Sequence, residues 1–460
     1  MKGIGQMAAK SRGDSSAATE HRRGRRDPGS AAPKHKGAPK SKKKLPEAPS
    51  NEPHVKHLAH VEQFLVAVEC AHELFTEVLP ILRERDEKRV KELHTLTARL
   101  GVVTRRFKPN KRPSRRTLHE LYRIGSEMRS IRSAMNRIAR NSLMFSRDIV
   151  VGLVSRWEEY IGALIDCMLE AYPGRMGEVS RQLSYEEAEG FDRPGSLKSW
   201  FRGTVVQQVL SEGSDKLVAY IERQIGVDVA QRIPHWKTLM EVTERRHVLV
   251  HNAGTIDRTY LKRCKKLGID VPADCKPGGS LSVSPKYFEA VREAFFDVGL
   301  QLGQLMCRKL YPKHVGSADE ALNNIGITFL RDREWSIANR IYSFAMALPA
   351  ESVSDSQAAL IVQVNRCIAL KGLGAKGEVK AILDAMDISA AQEKFALAVA
   401  VLREDWSTAK TLMIACALSK QIRREEFEED WPLFWEFRER EEFREAFRRV
   451  FRAEFKPPTE

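Results

Sequence analysis

Residues 148–172, DIVVGLVSRWEEYIGALIDCMLEAY, decide the class of fold. Apolar residues recur there every three or four positions and form a broad face: Ile149, Val150, Leu153, Val154, Trp157, Tyr160, Ile161, Leu164 and Ile165. This period indicates an α-helix that packs against other helices. Asp148 favours the helix N-terminus, and Pro173-Gly174 favours its end. Because almost no strand-like alternation occurs elsewhere, we predict an all-α fold.

Composition narrows the class of protein further. A chain of 460 residues is long enough for two to four domains, and its net charge of +15 favours an anionic partner. The charge is uneven, with about +8 in residues 1–54 and about +10 in residues 101–150. No apolar run reaches the ~18 residues of a membrane span, and the charged start is unlike a secretory signal. The seven scattered cysteines predict reduced thiols rather than disulfides or a zinc site, so we expect a cytoplasmic protein.

Four segments are expected along the chain. Residues 1–54 are rich in Gly, Ser, Ala, Pro, Lys and Arg, and we predict a disordered basic tail there. Residues 55–145 have helical periodicity, and residues 146–312 continue as a helical domain. A polar, arginine-rich helix is predicted from Ser114 to Asn141, and it passes into the helix 148–172. A proline-interrupted basic loop within residues 55–145 offers candidate RNA phosphate contacts: Lys108, Lys111, Arg112, Arg115 and Arg116. The alternative is a solvated linker.

Residues 313–456 show internal repetition. The stretch 330–338, LRDREWSIA, is echoed by 401–409, VLREDWSTA, and Trp335 and Trp406 lie 71 positions apart. That spacing is about two periods of the ~34-residue tetratricopeptide (TPR) repeat, so we predict TPR-like helical hairpins, with a non-repeating bundle as the alternative. Such hairpins would bind a protein partner or inhibitor on a concave surface. The glycine-rich stretch 372–378 lacks a phosphate-loop ending and is predicted to be a turn.

The candidate site is the stretch 244–254, ERRHVLVHNAG, in which Gly254 suits the left-handed position at the end of a helix. His247 and His251 are four residues apart and share a helix face, whereas Arg246 lies about 140° around the helix from His251. One helix therefore brings Arg246 and His251 together poorly, and a second copy across a two-fold axis would do so better. Two other interpretations are a pair of metal ligands, for which no acidic third ligand follows at the usual spacing, and two structural histidines.

The segment Arg246-His247-Val248-Leu249-Val250-His251 resembles the motif of the HEPN superfamily: an arginine, a polar residue, three further residues and a histidine. The likeness extends over residues 244–261 and to the helix 148–172, where Trp157-Glu158 matches an aromatic or apolar residue followed by an acidic one. It covers residues 145–310. The resemblance implies metal-independent RNA cleavage by 2′-OH attack, without a cofactor, at a composite site in a homodimer.

The resemblance also implies roles for the residues. His251 would move protons, Arg246 would hold the scissile phosphate, and His247 would orient the phosphate or support the second proton transfer. Glu158 would orient Arg246 from the neighbouring helix, and Asn252 would support the site. The hypothesis is a bacterial antiphage-defence or toxin-type endoribonuclease. The alternative is a non-catalytic HEPN/TPR scaffold that binds protein or RNA.

Overall fold

The computed structural model describes residues 52–105, 112–178, 184, 186, 189–191, 194–269, 271 and 275–456. Regular structure within these ranges is helical, apart from one antiparallel β-bridge between Thr255 and Ser280, so the predicted all-α class is confirmed. The α-helices are α1 Pro53–Thr104, α2 Arg115–Ala171, α3 Pro194–Ser211, α4 Ser214–Ile225, α5 Val229–Arg232, α6 Trp236–His251, α7 Arg258–Lys266, α8 Pro285–Leu310, α9 Val315–Arg331, α10 Trp335–Met346, α11 Ser356–Gly372, α12 Lys376–Ala385, α13 Glu393–Leu402, α14 Trp406–Leu418, α15 Trp435–Arg438 and α16 Glu441–Phe451.

The start of α1 shortens the expected basic tail. Residues 1–51, which hold most of it, lie outside the described residues. The expected tail boundary at residue 54 is wrong, because Pro53 occupies the first turn of α1 and His54 is already buried. Proline is favoured at that position, since its fixed φ suits a helix start and its missing amide needs no partner there.

The helices α1 and α2 form a long antiparallel pair. Lys56 contacts Glu170 at 3.0 Å, Phe64 stacks on Tyr160, and the rings of Phe75 and Phe145 are 6.4 Å apart. The predicted helix start at Asp148 is therefore wrong: α2 begins at Arg115, where Ser114 caps the Thr117 amide at 3.1 Å. No proline or helix-ending glycine precedes Asp148, so its preference for a first turn is too weak to interrupt the helix. The expected segment boundary at residue 145/146 falls inside α2.

The helix α8 is buried over most of its length and packs against α1, α2 and α6. Its backbone approaches α1 and α2 closely at two glycines. The Tyr160 hydroxyl donates to the Gly299 carbonyl at 2.7 Å, and His57 Nε2 donates to the Gly303 carbonyl at 2.9 Å. A Cβ on Gly299 would lie 2.4 Å from the Phe64 ring. Residues of α1 thus share one hydrophobic core with residues of 146–312.

The distal halves of α1 and α2 extend beyond this core. We call residues 82–105 and 112–136 the arm. Its fully buried apolar side chains, Leu96, Val103 and Ile124, belong to neither of the two large hydrophobic cores. The arm is therefore a two-helix hairpin held together by few apolar contacts, with most of its side chains exposed.

The C-terminal region is a series of helical hairpins. The pairs α9/α10, α11/α12 and α13/α14 turn through residues of positive φ, which are Arg333, Gly374 and Glu404 respectively. Trp335 and Trp406 each begin the second helix of a hairpin, so the two echoed stretches occupy equivalent positions. The turn predicted at 372–378 is confirmed. Residues 431–451 do not form one helix, because Pro432 supplies no amide and a 3₁₀ turn precedes α15 and α16.

None of the helices in the described ranges combines the length and the apolar character that crossing a membrane requires.

The substitution Gly299→Ala tests the close approach of α8. The added methyl group meets the Phe64 ring, which is itself stacked on Tyr160, so overpacking should destabilise the protein by about 1–3 kcal/mol. The control is Gly152→Ala on the exposed side of α2, where no atom lies within 4 Å of the new Cβ. That change should leave stability unchanged or raise it by up to about 1 kcal/mol. Equal urea midpoints for the two variants would contradict the proposed packing.

Candidate functional site

A buried polar network anchors α6. The Glu241 carboxylate accepts from Arg245 Nε at 2.9 Å and from the hydroxyls of Tyr260 at 2.5 Å and Tyr287 at 2.7 Å. Arg245 also donates to the Ser282 carbonyl at 2.9 Å, and its guanidinium lies 3.8 Å from the Tyr287 ring centroid. These contacts join α6 to α7 and α8. Such a fully paired buried charge fixes one orientation of the helix.

Tyr260 and Tyr287 must be protonated to donate these hydrogen bonds. Burial, reinforced by the nearby Glu241 carboxylate, raises the pKa of Tyr260 and that of Tyr287 well above the usual tyrosine range. Both hydroxyls therefore stay protonated and donate to Glu241. Because Arg245 donates to Glu241 and to the Ser282 carbonyl, we assign this arginine a structural role.

The neighbouring face of α6 is open to solvent. His247 and His251 are both exposed, and their ring centroids are 4.7 Å apart. Arg246 is half-buried, and its Nε has no hydrogen-bond acceptor among the described residues. The structure thus brings the two histidines together as expected from their spacing. It shows no hydrogen bond between the described side chains of Arg246 and either histidine.

The turn after α6 is fixed from a distant part of the sequence. Ala253 and Gly254 have φ values of 51° and 80°, so the left-handed conformation expected at Gly254 is confirmed. Arg147 of α2 donates to the Ala253 carbonyl at 2.8 Å, and a Cβ on Gly254 would lie 2.5 Å from the same guanidinium. The Gly254 carbonyl accepts from the Leu281 amide at 2.8 Å. Together these contacts hold the chain directly after His251.

Asn252 supports this turn rather than the histidines. Its side-chain amide donates to Asp257 at 2.8 Å, and the other Asp257 oxygen accepts from the Tyr260 amide at the start of α7. The Tyr260 backbone hydrogen bond, together with the Asn252 side chain, lowers the pKa of Asp257. The expected supporting role of Asn252 therefore takes the form of a link between the two helices.

The structure does not bring Glu158 to Arg246. Glu158 is exposed and follows Trp157, whose ring contacts Trp236 at the first residue of α6. Arg147 meets the other end of α6, so α2 and α6 run in opposite directions. Arg246 is ten residues from Trp236, which corresponds to about 15 Å along the helix. No contact between Glu158 and Arg246 occurs within the described chain, and the role of Glu158 stays a prediction.

Three of the five candidate RNA contacts lie far from α6. Arg112, Arg115 and Arg116 are exposed at or just before the beginning of α2, while Lys108 and Lys111 lie outside the described residues. Arg116 precedes Arg147 by 31 residues on the same helix, which corresponds to about 46 Å. These three arginines and the histidines therefore lie on separate surfaces of one subunit.

Sequence reasoning missed the residues that support the site. Glu241 lies four positions before Arg245, and that spacing is the usual signal of an ion pair along a helix. Arg147 lies more than 100 residues from the turn it holds, and no local pattern indicates such a contact. Potential metal ligands that come together in the described ranges are Glu52, His54 and His314, a group that includes neither histidine of α6.

Comparison of the chain with protein-family models, with curated proteins and with solved structures finds no match.

The buried network is tested by Glu241→Gln. Removing the carboxylate leaves Arg245 as an uncompensated charge with a side chain only 10% exposed, so stability should fall by about 3 kcal/mol. The double variant Glu241→Gln, Arg245→Leu should regain most of this loss in urea unfolding, because no buried charge remains. As a control, Glu159→Gln removes an exposed partner of Arg156 and should change little. A double variant no more stable than Glu241→Gln would refute the assignment.

Proposed function

We propose that this protein is a metal-independent endoribonuclease of the HEPN type. The observation that carries the proposal is the pair of exposed histidine rings that lie side by side on α6, 4.7 Å apart. Arg246 precedes His247 in the chain, is half-buried, and has a buried Nε without an acceptor among the described residues. Its neighbour Arg245 is fully engaged by the protein. A phosphate is the acceptor that suits a free guanidinium, and imidazoles transfer protons near neutral pH.

The proposed reaction uses no group from outside the protein and RNA. One imidazole removes the proton from the 2′-hydroxyl, and the 2′-oxygen forms a bond to the adjacent phosphorus. The bond from phosphorus to the 5′-oxygen breaks, and that oxygen receives a proton from a second imidazole. The products are a 2′,3′-cyclic phosphate and a 5′-hydroxyl. Arg246 stabilises the negative charge that develops on the phosphate oxygens.

A second copy of the chain would complete the site. Arg246 and His251 point to different sides of α6, and exposed apolar residues lie close to the motif. Val250 is 48% exposed beside His251, while Leu143 and Met144 are exposed on the face of α2 that carries Arg147. An isologous contact over these residues would place each motif opposite its twin. The TPR-like hairpins would hold a protein partner or inhibitor, as a defence or toxin role requires.

The central test is RNA cleavage by His251→Ala. Loss of a proton-transfer group should slow cleavage by about 10²- to 10⁴-fold, because the imidazole acts in the transition state. Arg246→Ala should also lower kcat. Cleavage products are resolved on denaturing gels in the presence of EDTA, and the cyclic phosphate is identified by mass spectrometry.

The control is Glu159→Gln, which changes an exposed carboxylate that pairs with Arg156 and has no assigned role in the site, and it should retain full activity. Thermal unfolding and oligomeric state should be the same for all three variants. If wild-type protein cleaves no RNA, or cleaves it equally well after His251→Ala, the proposal fails. In that case the non-catalytic scaffold is the correct description.

A further inference from the structure

We propose that the arm carries a second RNA-binding surface, which grips single-stranded RNA at a distance from α6 and delivers it there. This inference rests on the proposed function, because it assumes that RNA is the substrate. It differs from the expectation for the basic loop, since it assigns binding to one exposed face of α2 within the arm.

The charge of the arm is strongly positive on the α2 side. Residues 112–136 contain six arginines and two glutamates. One arginine, Arg123, lies 3.7 Å from Glu127, and both side chains are well exposed. Among the described residues no carboxylate lies within ion-pair distance of the other five: Arg112, Arg115, Arg116, Arg129 and Arg132. Their charge is therefore available to an anionic ligand.

Polar and aromatic side chains recur at regular helical spacing on one exposed face of α2 in the arm. The residues that share it occur at offsets of 4, 7, 11 and 14 from the first, and we call them the stripe: Arg115, His119, Tyr122, Ser126 and Arg129. All five are exposed, and Tyr122 is 73% exposed. Glu120 and Glu127 lie to one side of the helix, away from the stripe. The stripe therefore presents two guanidiniums with an aromatic ring between them.

This arrangement of two guanidiniums with a tyrosine ring between them suits a single-stranded RNA. Guanidiniums contact successive backbone phosphates, and an exposed tyrosine ring between them offers a platform on which a base stacks. A membrane surface fits less well, because a helix that lies in a membrane needs an outward apolar face. The stripe contains no aliphatic residue, and beside it on α2 of the arm Leu118 alone is a large aliphatic residue that is exposed, at 50%, among the described residues, while Ile124 is buried.

The position of the stripe determines how long an RNA must be to reach both the stripe and the motif on α6. Tyr122 precedes Arg147 by 25 residues on α2, a separation of about 37 Å. Arg147 contacts the turn directly after His251. A stacked strand that rises ~3.4 Å per nucleotide needs about 11 nucleotides to reach from the stripe to the motif. A hexanucleotide can therefore occupy one surface only, whereas a 20-nucleotide RNA can occupy both.

The experiment measures binding and cleavage of RNAs of these two lengths by the full chain. Binding is measured by fluorescence polarisation in the His251→Ala background, so that the RNA stays intact. The stripe variant is Arg115→Ala, Arg129→Ala. For the 20-nucleotide RNA, its Kd should rise about ten-fold or more, and the slope of log Kd against log salt should fall by about 1.4, because two phosphate contacts are lost. Tyr122→Ala should weaken binding about ten-fold with an unchanged salt slope.

The matched control is Arg85→Ala, Arg99→Ala, which removes the same charge from two exposed positions on α1 of the arm that are also 14 residues apart. It should bind the 20-nucleotide RNA nearly as well as the parent protein. Equal weakening by the control and the stripe variant would overturn the inference, because net charge rather than the stripe would then decide affinity. Loss of binding to anionic vesicles, without any change in RNA affinity, would overturn it in favour of a membrane surface.

Cleavage assays separate the two proposals. With His251 intact, the stripe variant should cleave the hexanucleotide at the wild-type rate and should show a raised KM for the 20-nucleotide RNA. If the stripe variant cleaves and binds both RNAs as the wild type does, the arm inference fails and the proposed nuclease remains. If wild-type protein cleaves neither RNA but the stripe variant still loses RNA binding, the nuclease proposal fails and the arm inference survives as an RNA-binding surface.

Discussion

The close approach of α8 to α1 and α2 is the constraint on which the rest of the described structure depends. At Gly299 and Gly303 the backbone of α8 lies against aromatic and aliphatic side chains, and its carbonyls accept hydrogen bonds from Tyr160 and His57. This contact fixes α8, whose first turn carries Tyr287. Tyr287 in turn donates to Glu241 and holds α6 in place. The orientation of the histidine face is therefore set by packing that begins more than 40 residues further along the chain.

Because of this packing, the two neighbouring arginines of α6 have different surroundings. Arg245 lies one turn after Glu241 and points inward, where the buried Glu241 carboxylate pairs with its charge and the Ser282 carbonyl and the Tyr287 ring contact its guanidinium. Arg246 is rotated by about 100° from it and keeps a guanidinium nitrogen without an acceptor among the described residues. Arg246 therefore lies on a helix whose orientation is fixed by the contacts of Arg245. A site built on a fixed helix positions its reacting groups more accurately than one built on a mobile loop.

The sequence predicted those features that depend on local periodicity. The all-α class, the left-handed Gly254 and the turn at 372–378 follow from patterns within a few residues. The equivalent positions of Trp335 and Trp406 follow from an internal repeat of the sequence. The helix predicted from Ser114 begins there, but the start favoured at Asp148 was wrong, because an acidic residue favours a helix start only weakly. The sequence does not reveal that α2 and α6 are antiparallel, which is why the contact of Trp157 with the first residue of α6 was not predicted. Contacts such as that of Arg147 with Ala253 depend on tertiary packing alone.

The account requires that one active site be built from two subunits, and mixing two inactive variants tests this most directly. Arg246→Ala and His251→Ala proteins are each purified, then mixed under conditions that allow subunits to exchange. Half of the dimers would then be mixed, and each would hold one intact site, so cleavage should return to about a quarter of the wild-type rate. A mixture that stays as inactive as its components, although subunit exchange is demonstrated, would contradict the composite site.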